Sequence, residues 1–299
     1  MRLGAIEAGG TKMVLGVFSQ SLKELARTTL STTVPEETIP QMVSFFNQHP
    51  VDALGIATFG PVNLRAGSPT FGTILNTPKL AWQRYPLLET FEEALGVPTA
   101  VDTDVNAAAL AESVLGAARG LKNCLYFTVG TGIGGGLYAE GNLVHGLMHP
   151  EWGHVLLTRH EEDPLLRGVC PYHPNCVEGF ASGPSMQKRW GIPARELPDE
   201  HRGWDLEAYY LAQLCSNALM AVSPEVILIG GGVMHQQGLL PKVREEALKL
   251  INGYIDQEQL PPMEEYIISP ALWPDSGLLG AALLAKQAWR QRPKAKPAP

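Results

Sequence analysis

A pattern of strand, glycine-rich turn, strand and helix occurs twice in this chain, and it limits the fold more than any other feature. The first copy has an apolar run at 3–7, the turn Gly9–Lys12 and a second apolar run at 13–18. The second copy has an apolar run at 124–129 and the glycine-rich stretch 130–136. Short apolar runs bounded by glycine are typical of buried strands. The repetition therefore predicts an α/β protein of two related domains with a cleft between them.

The predicted domain boundaries follow from this repetition. We predict an N-terminal α/β domain over residues 1–118 and a C-terminal α/β domain over residues 119–289. The last predicted helix, 276–290, is expected to pack back on the N-terminal domain. The Pro-rich, basic end at 290–299 is expected to be a flexible tail. A length of 299 residues suits one large or two medium domains.

Composition excludes several classes of protein. The net charge of −7 argues against a sequence-independent nucleic-acid surface. The chain has no apolar run near the roughly 18 to 20 residues that a membrane-spanning helix needs. Its N-terminus enters a strand-like run directly and lacks the pattern of a signal peptide. We therefore expect a cytoplasmic protein with no nucleic-acid or membrane partner.

A cysteine- and histidine-rich stretch at about 149–180 predicts a metal site. Cys170, His173 and Cys176 follow one another at three-residue spacing, and thiolate and imidazole are ligands that suit tetrahedral zinc. A disulfide between the two cysteines is the alternative. Four ligands with no open position would make the zinc structural. The fourth ligand stays open among three upstream histidines: His149, His154 and His160.

Two carboxylates flank the predicted metal ligands. Glu151 and Glu178 are poor candidates for a closed zinc site, because such sites use thiolates and imidazoles. They indicate instead a polar ligand bound beside the metal.

Three glycine-rich turns indicate a nucleotide. They lie at 9–12, 130–136 and 230–232. The first two match neither the Walker spacing nor the dinucleotide-binding fingerprint. Each exposes backbone N–H groups that a phosphate can approach, although each alone is equally typical of an ordinary tight hairpin. The third precedes a predicted helix, whose start favours an anion. Together, the three turns predict a nucleotide cleft.

Two aspartates, Asp102 and Asp104, stand between a predicted strand at 98–101 and a predicted helix at 107–118. Helix capping is one explanation, because Asp is common at that position. The other is a general base, since a carboxylate of normal pKa is ionised at neutral pH and accepts a hydroxyl proton during phosphoryl transfer.

The order of these segments resembles that of a known family. The segments that carry the resemblance are Glu7–Lys12, Asp104–Glu112, Gly130–Gly136, Glu151–His154 and Cys176–Glu178. In combination, over about residues 2–285, they resemble the ROK family of repressors, open reading frames and sugar kinases. The opening at 4–12 looks most like the bacterial zinc-containing fructokinases of that family. The resemblance implies an actin-like ATPase (ribonuclease H-like) fold with a zinc-binding insertion.

The resemblance also implies an activity: ATP-dependent phosphorylation of D-fructose at its 6-hydroxyl. Asp104 would be the catalytic base. The sugar would contact Thr103, Asp104, Glu151, His154 and Glu178. The zinc ligands would be His154, Cys170, His173 and Cys176. Magnesium would accompany ATP, held through water by Glu7. The nucleotide would contact Gly9, Gly10, Thr11, Lys12, Gly130, Thr131, Gly132, Gly134, Pro184, Gly231, Gly232, Val233, Met234, His235 and Gln236.

This chain departs from the common family pattern at three positions. It has Glu7 where most members have Asp, Thr103 where glucose-type members have Asn, and His173 in place of the middle thiol of the metal loop. The last two departures favour fructose over glucose. Kinases for mannose, glucose or an N-acetylhexosamine, and a sugar-responsive repressor, are the alternatives. Repressors carry a helix-turn-helix before the first glycine turn, and here that turn begins at residue 7. The family suggests a homodimer.

Overall fold

The computed structural model describes residues 1–256 and 258–292. The chain divides into two compact units. Unit 1 contains residues 1–111, 144–149 and those from Asp275 onward, whereas unit 2 contains residues 112–143 and 150–274. Most of the predicted tail, 293–299, lies outside the described residues.

Each unit is built on a five-stranded sheet in the described part of the chain. The strands are β1 (Arg2–Ala8), β2 (Lys12–Ser19), β3 (Glu24–Ser31), β4 (Ala53–Thr58), β5 (Thr99–Thr103), β6 (Cys124–Val129), β7 (Ile133–Ala139), β8 (Asn142–Leu143), β9 (Val226–Gly230) and β10 (Ile267–Ile268). The helices are α1 (Pro35–Gln48), α2 (Leu87–Leu95), α3 (Asp104–Val114), α4 (Val177–Ala181), α5 (Gly183–Trp190), α6 (Gly203–Val222), α7 (Leu239–Ile251), α8 (Met263–Tyr266) and α9 (Ser276–Gln291). Short 3₁₀ helices cover Leu80–Trp82, Trp152–His154, Ala194–Glu196 and Gly232–His235.

The sheet of unit 1 has the order β3-β2-β1-β4-β5. Strands β1, β4 and β5 are parallel, and β1 joins β2 in the antiparallel hairpin that the sequence predicts. Glu7 pairs with Ala57 of β4, which pairs with Asp102 of β5. The polar residues at the carboxyl ends of β1 and β5 therefore lie at one edge of the sheet. Behind them is an apolar core that includes the buried rings of Phe46 and Phe91.

Helix α9 packs on this sheet against β1, β2, β4 and β5. The packing is so close that a side chain at Gly55 of β4 would overlap the carbonyl oxygen of Ala281. At the adjacent position of the helix, a side chain at Gly280 would overlap the carbonyl oxygen of Ala107 in α3. Glycine at these two positions lets α9 lie between β4 and α3.

The sheet of unit 2 has the order β10-β9-β6-β7-β8, with β6 and β9 parallel. The prediction that residues 130–136 form one turn is wrong, because Gly134–Gly136 belong to β7 and pair with β6. A side chain at Gly135 would lie 2.7 Å from the ring of Phe127 and 2.9 Å from that of Trp152. Gly135 of β7 therefore makes room for two aromatic rings.

Three further predictions of secondary structure need correction. The apolar run at 265–269 predicts a strand, but its first two residues end the short helix α8 and only Ile267–Ile268 form the strand β10. The helix expected from Ala107 begins three residues earlier, at Asp104. Helices α4 and α5 were not predicted, because proline and glycine at 183–184 interrupt any helical pattern. No described helix has the length and apolar character needed to cross a membrane.

We predict that Gly280→Ala destabilises the protein, although glycine-to-alanine changes normally stabilise a helix. The added methyl group meets the backbone of Ala107, which cannot turn away as a side chain would. Overpacking of this kind costs about 1–3 kcal/mol, and the midpoint of chemical denaturation measures it. Gly238→Ala is the control, since its methyl group meets nothing within 4 Å. Equal stability of the two variants would contradict the close packing of α9.

Candidate active site

The junction of β5 and α3 presents Asp104 at the start of a helix. Thr103 caps α3, because its hydroxyl oxygen accepts the Asn106 N–H at 3.1 Å. Asp104 is the first helical residue, and its Oδ1 accepts the Val105 N–H at 2.9 Å. The capping role considered for Asp102 is therefore wrong. Asp102 lies in the strand, one residue too early to cap the helix.

Asp102 is instead the centre of a buried hydrogen-bond network and is 4% exposed. Its Oδ1 accepts from the Thr103 N–H and from the Asn106 amide, each at 2.7 Å. Its Oδ2 lies 2.8 Å from Nε2 of His145. This hydrogen bond to the carboxylate raises the pKa of His145, although partial burial of the imidazole opposes the shift. The sequence analysis missed His145, since nothing local links it to a strand that ends more than forty residues earlier.

Two carboxyl groups at the carboxyl ends of the unit 1 strands have raised pKa values. The pKa of Glu7 is raised to about 7, chiefly by burial and then by the negative charge of Asp104, although the positive charge of Lys12 opposes the shift. Burial also raises the pKa of Asp104 to about 6, although the hydrogen bond from the Val105 N–H opposes the shift. Perturbed carboxyl groups at the carboxyl ends of two parallel strands of one sheet are typical of a functional site.

The first glycine turn joins β1 to β2 and is closed by a hydrogen bond from the Gly9 N–H to the carbonyl of Lys12, at 2.9 Å. Thr11 and Lys12 are exposed. Backbone N–H groups and an exposed ammonium are suitable for a phosphate.

The second glycine turn holds Glu178. Gly130 and Gly132 close the turn with an N–H to carbonyl hydrogen bond of 2.9 Å. The Ile133 N–H, just beyond it, donates to Oε2 of Glu178 at 3.0 Å. A side chain at Gly132 would lie 2.7 Å from that same oxygen. Glycine is therefore needed at 132 for the carboxylate to reach the turn.

The predicted nucleotide segments of unit 2 meet at the carboxyl ends of β6 and β9. The Gly183 N–H donates to the carbonyl of Gly130 at 2.7 Å, which places Pro184 and the start of α5 beside the turn. Gly231 has a φ of 99°, and a side chain there would overlap the backbone of Val129. Ligands of α/β proteins bind outside the carboxyl ends of parallel strands.

Two details of these segments differ from expectation. The third glycine turn leads into the 3₁₀ helix Gly232–His235, and the predicted helix follows as α7 from Leu239, so its start does not adjoin the turn. Within 232–236, Val233 is 6% exposed and packs inward. The neighbouring side chains of Met234, His235 and Gln236 are partly or fully exposed. Exposed Thr131 lies in the second turn, and Gly134 lies in β7.

A cluster of four side chains forms a candidate metal centre in unit 2. Nδ1 of His154 and Nδ1 of His173 lie 3.9 and 3.7 Å from Sγ of Cys170. With Cys176, the four ligand atoms lie within 4.8 Å of one another. Zinc bonds of about 2.0–2.3 Å put tetrahedral ligand atoms about 3.3–3.8 Å apart, so this slightly wider cluster needs only small shifts to hold the metal. Cys170 and Cys176 are free thiols, which argues against the disulfide alternative.

The other two upstream histidines are engaged elsewhere. Nε2 of His149 accepts the Val62 N–H at 3.2 Å, and the ring is 4% exposed. Nδ1 of His160 accepts the Glu162 N–H, and the ring packs against Tyr209. His154 is therefore the fourth member of the cluster.

A buried ion pair braces the helix that carries Glu178. Nε of Arg189 lies 2.9 Å from Oδ1 of Asp163, and both side chains are fully buried. Nη2 of Arg189 donates to the carbonyl of Phe180 in α4 at 2.7 Å. Tyr210 donates its hydroxyl to Oδ2 of Asp163 at 2.6 Å. Sequence reasoning missed this brace, because buried and solvated charged residues look alike in a sequence.

The geometry of these segments agrees with the comparisons with known proteins. The profile of the ROK family matches residues 3–288. The chain belongs to the ROK family. A ROK structure from Thermus thermophilus, described as a hexokinase, superposes with a TM-score of 0.78 at 27% identity, and the match covers 98% of this chain and 100% of that one. The predicted α/β class and actin-like ATPase fold are thus confirmed.

Two relatives share higher identity with this ROK chain. The fructokinase of Zymomonas mobilis is 42% identical over 290 residues, covering 94% of this chain and 95% of the relative. The fructokinase of Pediococcus pentosaceus is 39% identical over 288 residues, covering 96% and 99%. The similarity therefore extends over the whole length of these relatives.

Proposed function

We propose that the chain is an ATP-dependent fructokinase, which transfers the terminal phosphate of ATP to the 6-hydroxyl of D-fructose. The observation that carries the proposal is the full-length similarity, at 39% and 42% identity, to proteins named fructokinase. The local geometry supports the proposal. The sheet edges, or positions beside them, hold the glycine turns, the carboxylates of Glu7 and Asp104, and the thiol–imidazole cluster.

In this proposal Asp104 is the general base. The 6-hydroxyl oxygen attacks the terminal phosphorus, the bond from that phosphorus to the bridging oxygen breaks, and ADP leaves with the electron pair. The hydroxyl proton passes to the carboxylate of Asp104. A pKa of about 6 keeps the carboxylate mostly ionised at neutral pH and makes it a stronger base than a solvated aspartate.

The sugar hydroxyls are assigned to Thr103, Glu151, His154 and Glu178. Glu178 suits this role, because the Ile133 N–H fixes Oε2 and leaves Oε1 to accept from a hydroxyl. His154 turns Nδ1 toward Cys170, which leaves Nε2 for the sugar. Thr103 uses its oxygen to cap α3 and retains its O–H as a donor.

ATP is assigned to the turns at 9–12 and 130–132, with Pro184 and 231–236 along the adenosine. Magnesium bound with ATP would supply charge neutralisation at the phosphates. Glu7 suits a water-mediated contact with this cation, since a nearby positive charge stabilises its ionised form.

Structural zinc is assigned to the cluster of His154, Cys170, His173 and Cys176. Two thiols and two imidazoles, with no fifth donor in the cluster among the described residues, match the closed sites in which zinc stabilises a fold. Helix α4 begins directly after Cys176, so the metal would fix the start of the helix that carries Glu178. A homodimer in the cytoplasm completes the proposal.

The first prediction concerns the sugar. With saturating magnesium ATP, we expect fructose to give the highest kcat/KM in a panel of fructose, mannose, glucose and N-acetylhexosamines, at least about tenfold above glucose. Coupled detection of ADP measures turnover, and identification of the product tests the 6-position. A higher kcat/KM for glucose than for fructose would show that glucose is the preferred substrate. Absence of turnover on every hexose would remove the kinase proposal.

The second prediction concerns Asp104. Asp104→Asn should lower kcat by about 10²-fold or more, because the amide cannot accept the proton, while the sugar KM changes little. Asp52→Asn, at a partly exposed position outside the proposed site, is the control. In the unaltered enzyme, kcat/KM should fall as pH drops through about 6, where protonation of Asp104 removes the base. Full turnover of Asp104→Asn would reject this residue as the base.

Asp102→Asn gives a further comparison. It retains one oxygen for the Thr103 and Asn106 hydrogen bonds but removes the charge that holds His145. Its turnover should fall less than that of Asp104→Asn. The reverse order would transfer the role of base to Asp102.

The third prediction concerns zinc. Cys170→Ser should lower the zinc content per chain and raise the sugar KM by about tenfold, because a misplaced Glu178 holds the sugar poorly. The KM for ATP should change less. Elemental analysis and steady-state kinetics measure these effects. Cys215→Ser is the matched control, since Cys215 is buried in α6 and lies outside the cluster. Loss of zinc without a change in the sugar KM would disprove the link between metal and sugar.

A further inference from the structure

Lys79 lies over the first glycine turn. It directly precedes the 3₁₀ helix Leu80–Trp82. A methyl group added to Gly10 would lie 3.2 Å from Cε of Lys79 and 3.9 Å from its ammonium nitrogen. Any side chain at position 10 would therefore displace the lysine. The sequence analysis gave no role to Lys79, which is almost seventy residues away from the turn.

The backbone of Lys79 is held in place by its neighbours. Its N–H donates to the buried hydroxyl of Thr77 at 3.4 Å, and its carbonyl accepts the Trp82 N–H at 2.8 Å. The amide of Gln83 donates to the carbonyl of Thr77 at 2.8 Å. The indole of Trp82 is 2% exposed and donates to the carbonyl of Thr33. Because the turn is fixed, a ligand needs to order only the side chain of Lys79.

The ammonium of Lys79 has no acidic partner among residues 1–256 and 258–292. None of the ion pairs in this part of the chain includes it. The charged groups that shift the pKa of Glu7 are Asp104, Lys12, Asp275 and Arg27, so Lys79 does not serve to neutralise that carboxylate either. A partly buried lysine whose ammonium lies beside a glycine turn, with no counter-ion among the described residues, is suited to bind an anion.

We propose that Lys79 is a phosphate-binding residue whose ammonium contacts the terminal phosphate of ATP. The inference rests on the proposed phosphoryl transfer for the choice of phosphate. The turn follows Glu7, and Glu7 is close enough to Asp104 for the two charges to interact. The phosphate at this turn is therefore the one nearest the base. Lys79 forms and breaks no covalent bond, and it balances the charge on the phosphoryl oxygens as the group leaves ADP for the sugar hydroxyl.

Nucleotide binding without sugar provides the first test. Lys79→Met should weaken binding of magnesium ATP by about tenfold or more in calorimetry, whereas binding of ADP should change by less than about threefold. Lys79→Arg keeps the charge and should recover most of the ATP affinity. Lys23→Met, at an exposed lysine in the β2–β3 turn, is the matched control and should bind both nucleotides like the unaltered protein. Thermal melting of each variant establishes that it is folded, and Lys79→Gln replaces Lys79→Met if the latter is not.

Turnover provides the second test, on the hexose that the unaltered enzyme prefers. Lys79→Met should lower kcat by about 10²-fold, with the sugar KM within about threefold. Unchanged ATP affinity and kcat would overturn the proposal. A raised sugar KM with intact ATP binding would overturn it too, since it would place Lys79 at the sugar. If no hexose is turned over, the kinase proposal fails, and the difference between ATP and ADP binding still decides the role of Lys79.

Discussion

Parallel pairing within each sheet is the constraint on which the candidate site depends. In unit 1, β1, β4 and β5 run in the same direction, so their carboxyl ends bring Glu7 and the β5–α3 junction to one edge. In unit 2, β6 and β9 do the same for the second and third glycine turns. Two parallel strands are joined by a long crossover, which returns the chain to the amino-terminal end of the sheet. The next functional segment therefore again follows the carboxyl end of a strand. Segments far apart in sequence are thereby brought together.

Glu178 shows how one side chain connects several parts of unit 2. Its helix starts at the thiol–imidazole cluster, and its carboxylate accepts a hydrogen bond from the backbone at the second glycine turn. Two residues after Glu178, the carbonyl of Phe180 accepts a hydrogen bond from the buried Arg189. A shift of α4 would therefore disturb all three contacts at once. Such mutual restraint suits a carboxylate that must keep a fixed position, because residual freedom in a binding group weakens its contribution.

Local sequence patterns correctly predicted the features that residues close together in the sequence determine. The hairpin of β1 and β2, the start of β6 at Cys124 and the clustering of Cys170 with Cys176 all follow from runs, turns and spacings that are visible in the sequence. Contacts between distant segments were not visible. The pairing of Asp102 with His145 is one example, and the pairing of the β7 glycines with β6 is another. Tertiary packing determined these features, and the hydrophobic periodicity of one segment does not show which distant segment it contacts.

The position of α9 has a consequence for the order in which the protein matures. Strands β1, β4 and β5 are synthesised first, but the helix that covers them is encoded at the opposite end of the chain. Translation at about 5–20 residues per second leaves an interval of roughly ten to thirty seconds between Ala111 and Asp275. All of unit 2 emerges within that interval. The unit that is synthesised first is therefore completed last, and until then its uncovered apolar sheet is open to chaperones and to aggregation.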